Sequence, residues 1–441
     1  MPVPALSIRP ARFRLPHRLR RRATLLCLAL AIGACGSDSL PGLPGLPGLP
    51  DNRDAKTFLL EYLRDWYLWE DQLPASVDPD DYASDKALLD GLRIAQDTFS
   101  YISDAVSYNR FFDGETIGFG IHYRVRANDL LLLMVQPQSP AARAGLRRGQ
   151  TITAIQGESI AALATRDGVS DAFGPTDEGI VRRFDVLDDG TARQIEVTKA
   201  LYPLTYVLAE NLFEQTGRKI GYVNFYSFAD GGVTPWQAAL DRLLAQGAQD
   251  LIVDLRTNGG GLLSTAAQVG SALADVSGQP MSELQFNRLH RNSDRTIRFT
   301  SDPRAGRFNR LVWLTSDQTC SASEALIQGL APYRAATRIG TTTCGKPVGF
   351  TPQTHKDKVY SIVTFRLRNA SGATDYFDGL PADCPVPDNG VGQFGQADEP
   401  LTAAALAWLQ SGQCPAAAGQ AGKAGKASTR TRPPPGFSNL R

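Results

Sequence analysis

Three short segments carry residue types able to do covalent chemistry. Asp254-Leu255-Arg256-Thr257-Asn258-Gly259-Gly260-Gly261 is an apolar strand running into glycines and then a helix. Backbone amides without side chains at such a junction suit a developing negative charge. Read alone, the run is also an ordinary strand–helix turn. Thr319-Cys320-Ser321-Ala322-Ser323-Glu324 again stands between a strand and a helix. A serine there can be held exposed with its neighbour's amide available. The same run reads equally as a helix N-cap box, with Ser321 at the cap and Glu324 three residues on. Thr343-Cys344-Gly345-Lys346-Pro347-Val348-Gly349-Phe350 places a lysine between Gly and Pro after an apolar strand, a setting that predicts partial burial. A serine hydroxyl is inert until a base takes its proton. A lysine becomes such a base only when desolvation lowers its pKa from about 10.4.

Histidine is a poor alternative base. The four are His17, His122, His290 and His355. The first lies in a basic leader, the second in a β-rich stretch and the third in a connection. Only His355, nine residues after Lys346, could approach the site.

The elements around these segments alternate. Strands are expected over Lys219–Phe225, Asp250–Leu255, Arg310–Thr315 and Arg338–Thr342. Helices are expected over Leu262–Leu273, over Ala322–Leu330, and on the face of Trp236, Leu240, Leu243 and Leu244. Such βαβ alternation argues for an α/β fold with a covered, largely parallel sheet. Upstream, residues 106–200 look β-rich. Ile117-Gly118-Phe119-Gly120-Ile121 precedes the apolar run Leu130–Val135, and Ser139-Pro140-Ala141 leads through Ala144-Gly145-Leu146 to another strand. Residues 51–105 look helical. Leu59, Tyr62, Leu63, Trp66 and Trp69 form a core stripe at helical spacing, and a second helix is expected over Asp85–Thr98.

In that order and spacing, with 25 residues from Ser321 to Lys346, the three segments resemble the carboxyl-terminal processing serine peptidases. A later echo is Asp378-Gly379-Leu380-Pro381-Ala382-Asp383. The Gly118–Ile121 loop and the Ala-Gly-Leu turn resemble a PDZ domain of the bacterial protease type. There, glycine amides meet a peptide carboxylate and a strand edge accepts the peptide. The resemblance implies a crotonase-like (ClpP-like) protease core joined to a PDZ domain and a small N-terminal helical domain. It makes Ser321 the nucleophile and Lys346 its general base, with the amides of Ala322 and of Gly260 or Gly261 as the oxyanion hole. It makes Gly118, Phe119, Gly120 and Ile121 the peptide-binding loop. It calls for no cofactor and no metal. One position departs: members place Gln four residues after the lysine, where this chain has Phe350. Gln353 could serve as a third member only if the strand bulges or turns.

Six cysteines are present. Four of them, Cys320, Cys344, Cys384 and Cys414, suggest two disulfides with three possible connectivities, if the protein is exported. Because the resemblance brings Ser321 and Lys346 together, Cys320–Cys344 and Cys384–Cys414 are the expected pairs, the first bracing the active site.

The ends read as an address. Residues 1–34 hold seven arginines and no acid, with an apolar run ending in Ile32-Gly33-Ala34-Cys35. The run is too short to span a bilayer and resembles a lipoprotein signal with Cys35 as the lipidated residue. Gly36 after that cysteine favours the outer membrane, facing the periplasm. The expected organisation is a signal (1–34), a lipidated Leu-Pro-Gly tether (35–52), a helical domain (53–105), the PDZ-like domain (106–200), the protease core (201–415) and a basic tail (416–441). Lys and Arg total 46 against 45 Asp and Glu, which excludes a nucleic-acid binder driven by bulk charge. The expected partners are protein or peptide substrates and, through the lipid, a membrane. The expected activity is cleavage of unfolded or C-terminally exposed proteins. Two rivals are an inactive PDZ-bearing binding module, which Phe350 favours, and an enzyme of acyl thioesters, which the exported address disfavours.

Overall fold

A computed structural model describes residues 53–415. The signal, Cys35, the tether and the basic tail lie outside the described residues.

The first helix, α1 (Ala55–Trp66), begins at Asp54, whose carboxylate accepts the amides of Lys56 and Thr57. Its aromatic stripe is buried in the main core, as the spacing predicts. Helix α2 (Asp85–Leu92) stops short of the expected Thr98. Arg93 is its C-cap, and further on Asp97 Oδ1 accepts the amides of Phe99 and Ser100 and turns the chain into strand β1 (Tyr101–Asp104). β1 pairs antiparallel with Lys358–Ser361, which ties the N-terminal segment to the core.

A separate antiparallel sheet follows. Its strands β3 (Ile121–Val125), β4 (Leu130–Val135), β5 (Thr151–Ile155), β6 (Val181–Asp188) and β7 (Thr191–Thr198) lie side by side in that order. They enclose their own small core, which includes Phe119, Leu132, Leu146, Ile152 and Phe184. Strand β2 (Glu115–Gly118) pairs instead with β8 (Ala200–Pro203). Strand β3 is therefore an edge.

The large sheet runs β9 (Val207–Gln215), β10 (Arg218–Phe225), β11 (Asp250–Asp254), β12 (Arg310–Thr315), β13 (Thr337–Gly340) and then Cys384–Pro385. From β10 onward neighbours are parallel, and β9 is antiparallel at the edge. Side chains alternate between the two faces of a strand. Leu251 and Val253 of β11 enter the main core, together with helices α3 (Val233–Ala245), α4 (Leu263–Ser271) and α5 (Ala322–Leu330). Ile252 enters a second core with Leu401, Ala405 and Leu409 of helix α6 (Pro400–Ser411). Both faces are thus covered, which explains why β11 reads as a continuous apolar run. Each fully buried side chain of this kind contributes about 1.5–3 kcal/mol. A further antiparallel sheet carries Val348–Phe350 beside Val363–Arg368.

Candidate active site

The three segments are the loops that leave β11, β12 and β13, three neighbouring parallel strands. Ligands of open α/β sheets gather at such carboxyl ends.

Asn258 joins the first two loops. Its Oδ1 accepts the Gly260 amide at 2.9 Å and the Ser323 hydroxyl at 3.0 Å, and its main-chain oxygen accepts the Cys320 amide at 3.2 Å. Gly260 has φ +107°, and a Cβ there would lie 2.8 Å from the Ser321 Cβ. Only glycine permits that approach. The Gly260 amide is spent on Asn258, whereas the amides of Gly261 and Ala322 have no acceptor among the described residues. Ser321 sits at φ +57°, a region costly for a residue with a side chain and often found at functional turns.

Glu324 joins the second and third loops. Its Oε2 accepts the amides of Ser321 at 3.0 Å and Lys346 at 2.9 Å; its Oε1 accepts the Gly345 amide at 2.8 Å and the Thr343 hydroxyl. Burial raises the pKa of this carboxyl, against the Thr343 hydroxyl and the three amides. The N-cap box anticipated only its bond to Ser321. The Cys320–Cys344 disulfide bridges the same two loops, and Cys384–Cys414 staples the last core strand to the end of α6. Sulfurs of Cys320 and Cys344 and a Glu324 oxygen lie within 4.8 Å of one another. The sulfurs are bonded to each other and the carboxylate already accepts four donors, so the trio is not a free ligand set.

Lys346 is 1% exposed. Burial lowers its pKa to about 7, against the pull of Asp97 and Glu324. Its side chain has no hydrogen bond or ion pair with a described residue. What faces the amine is the Phe350 ring, whose centroid is 3.6 Å from Nζ. Gln353, in a short strand with Thr354 and His355, makes no hydrogen bond to Lys346. The three histidines among the described residues are engaged elsewhere. His122 meets the Tyr226 hydroxyl and is lowered by burial to about 4, His290 stacks on Trp66 beside Asp65, and His355 stacks on Phe58.

Gly118 ends β2, Phe119 is buried, Gly120 has φ +82° and Ile121 opens the edge strand β3. This small sheet is fastened to the glycine loop by a buried ionic cluster that the sequence did not disclose. Arg148, between β4 and β5, makes a bidentate pair with Asp388 and donates to the Gly392 carbonyl. Arg256, two residues before Asn258, pairs with Asp254 and, bidentately, with Glu399. Burial pushes the Asp388 carboxyl up, yet Arg256 and Arg148 outweigh it and hold its pKa at about 2.

Residues 219–386 match the sequence model of peptidase family S41, and residues 54–101 that of the peptidase S41 N-terminal domain. A carboxyl-terminal-processing protease of Synechocystis is 28% identical over 235 residues, 53% of each chain. A CtpA-like serine protease of Staphylococcus aureus is 24% identical over 277 residues, 62% of this chain and 53% of the relative. The chain thus spans about half the length of these curated relatives. Among solved structures, a protein assigned as an S41 protease from Bacteroides fragilis superposes with a TM-score of 0.64 at 23% identity, covering 80% of this chain and 97% of that one. A photosystem II D1 C-terminal processing protease gives 0.50 at 19% identity, covering 76% and 94%. These likenesses establish the α/β protease fold.

Proposed function

The chain belongs to peptidase family S41, and from that premise we propose a serine endopeptidase working through Ser321 and Lys346. The observation that carries the reading is a buried lysine, without an ion pair to any described residue and lowered to about 7, whose backbone shares one carboxylate oxygen with that of Ser321. Neutral Lys346 Nζ takes the Ser321 proton as Oγ attacks the scissile carbonyl. The oxyanion is received by the Ala322 amide and, because the Gly260 amide is occupied, by that of Gly261. Lys346 returns the proton to the leaving amine. Water then attacks the acyl-enzyme with Lys346 again as base.

The small β-sheet is read as a PDZ-like module spanning 106–200. Its terminal strand β3, beside Gly118, Phe119, Gly120 and Ile121, would accept an unfolded segment or an exposed C-terminus as an added strand. Residues 53–105 and 201–415 are read as the helical and protease parts. With Cys35 lipidated, the enzyme would be exported and held at the outer membrane facing the periplasm. Radiolabelled palmitate incorporation, lost in Cys35→Ser, tests the anchor.

A fluorophosphonate probe tests the enzyme. Label on Ser321 that disappears in Lys346→Ala supports the dyad. The second reading, an inactive peptide-binding module, is favoured by Phe350 beside the lysine. It predicts peptide binding with no labelling of Ser321.

A further inference from the structure

Lys346 lies in an aromatic cradle drawn from two distant parts of the chain. The Phe350 centroid is 3.6 Å from Nζ and that of Phe99 is 5.7 Å away. Tyr101 meets the Phe350 ring edge-on, with centroids 5.7 Å apart and planes at 79°. The turn made by Asp97 sets Phe99 in place, and β1 holds Tyr101 through its pairing with Ser361. The N-terminal segment thus supplies the outer part of the cradle, and the strand after the lysine supplies its floor.

We propose that Phe350 is a positioning residue for Lys346, its ring face receiving the ammonium that forms when Lys346 takes the Ser321 proton. The inference rests on the Ser321–Lys346 reading above. An aromatic face is negative and attracts a cation, most strongly where water is excluded. A neutral amine gains far less from the same face. The attraction therefore grows along the proton transfer, which is the condition for an interaction to speed a reaction rather than only tighten a ground state. A ring also accepts no conventional hydrogen bond, so it leaves the amine free to turn its lone pair to the serine.

The charged groups facing Lys346 are Asp97, from the turn before β1, and Glu324, from α5. Both favour the ammonium, but neither lies within ion-pair distance. Both are committed to other donors: Asp97 to the Phe99 and Ser100 amides and the Ser100 hydroxyl, Glu324 to its four partners. Of the two rings recorded against the nitrogen, Phe350 is the nearer, 3.6 Å against 5.7 Å for Phe99.

The test replaces Phe350 by mono-, di- and trifluorophenylalanine in the full-length chain. Fluorination drains the ring face while nearly keeping its shape. The expected result is a stepwise fall in kcat/KM, about tenfold for the trifluoro ring. With each fluorine the acid limb of the pH–rate profile moves to lower pH, because the ring no longer favours the ammonium. Phe350→Leu moves both readouts in the same direction. Titration of 13C-labelled Lys346 by NMR reads the same change without turnover. An unmoved acid limb and an unmoved lysine titration across the series, with cleavage still abolished by Ser321→Ala, overturn the inference and leave the dyad standing. Cleavage by Ser321→Ala at the wild-type rate would instead remove the reading on which the inference rests.

Discussion

Replacing Lys346 by Met is expected to abolish cleavage and yet stabilise the fold, by an amount that depends on pH. The native lysine is lowered from 10.5 to about 7, chiefly by burial. A lysine lowered on folding means that between these values the unfolded chain carries a proton the native chain has lost. Stability then rises with pH across that window. Below pH 7 both states are protonated, and the native state bears the full cost of the buried ammonium. That cost is about 5 kcal/mol, at ~1.36 kcal/mol for each pH unit between the two values. At pH 9 the remaining cost is about 2 kcal/mol, and near pH 10.5 it vanishes. Methionine has a similar reach, no charge and the flexibility to fill the site. Urea unfolding of Lys346→Met and its parent, both carrying Ser321→Ala to prevent self-digestion, measures the difference. The variant should be more stable by about 5 kcal/mol at pH 6 and about 2 at pH 9, with equal m-values. Equal or lower stability at pH 6, or a difference independent of pH, would refute the claim that this lysine is held neutral by burial.

Other perturbations probe the frame. Gly260→Ala would set a Cβ 2.8 Å from the Ser321 Cβ and 2.9 Å from the Cys320 carbonyl oxygen, at φ +107°. A loss of kcat of at least about a hundredfold is expected from misplacing the serine by about 1 Å, measured as turnover at saturating substrate. Cys320→Ser with Cys344→Ser opens a loop of sequence separation 24, which predicts a loss of about 3–4 kcal/mol in urea unfolding together with slower cleavage. Asp388→Asn should destabilise the protein by about 3 kcal/mol by leaving Arg148 and Arg256 under-paired. Because the Asp388 pKa is depressed to about 2, its contribution is present above the unfolded value of 3.8 and fades as pH falls through 2. The penalty should therefore shrink in unfolding curves taken on that acid side.

How much of this was legible in the sequence depended on how local the cause was. Strands β11 and β12 announced themselves because both faces are buried and their centres are apolar throughout. The glycine loop, Ser321 and Lys346 stand out through their order and spacing, which resemble one family, whereas the first two segments taken singly also read as an ordinary turn and a helix cap. The periodicity of α2 runs on past Leu92 because it does not register the Asp97 side-chain bonds that turn the chain before β1. Glu324 was seen as the cap partner of Ser321, while its bonds to Gly345 and Lys346 depend on two loops meeting. Arg148, Arg256, Asp388 and Glu399 come from separate segments, so no spacing pattern links them. Phe350 stands where the resemblance leads one to expect Gln, and its spacing alone does not set it against the amine. Its place against the amine follows from the pairing of its strand with Val363–Arg368.

The proposed pairing of Ser321 with Lys346 is tested in one experiment: cleavage of an unfolded protein by the wild type, Ser321→Ala and Lys346→Ala across pH values on both sides of neutrality. Wild-type cleavage with an acid limb near the Lys346 value of about 7, and none in either variant, is the expected result. Equal cleavage by all three, or an acid limb unrelated to Lys346, would contradict it.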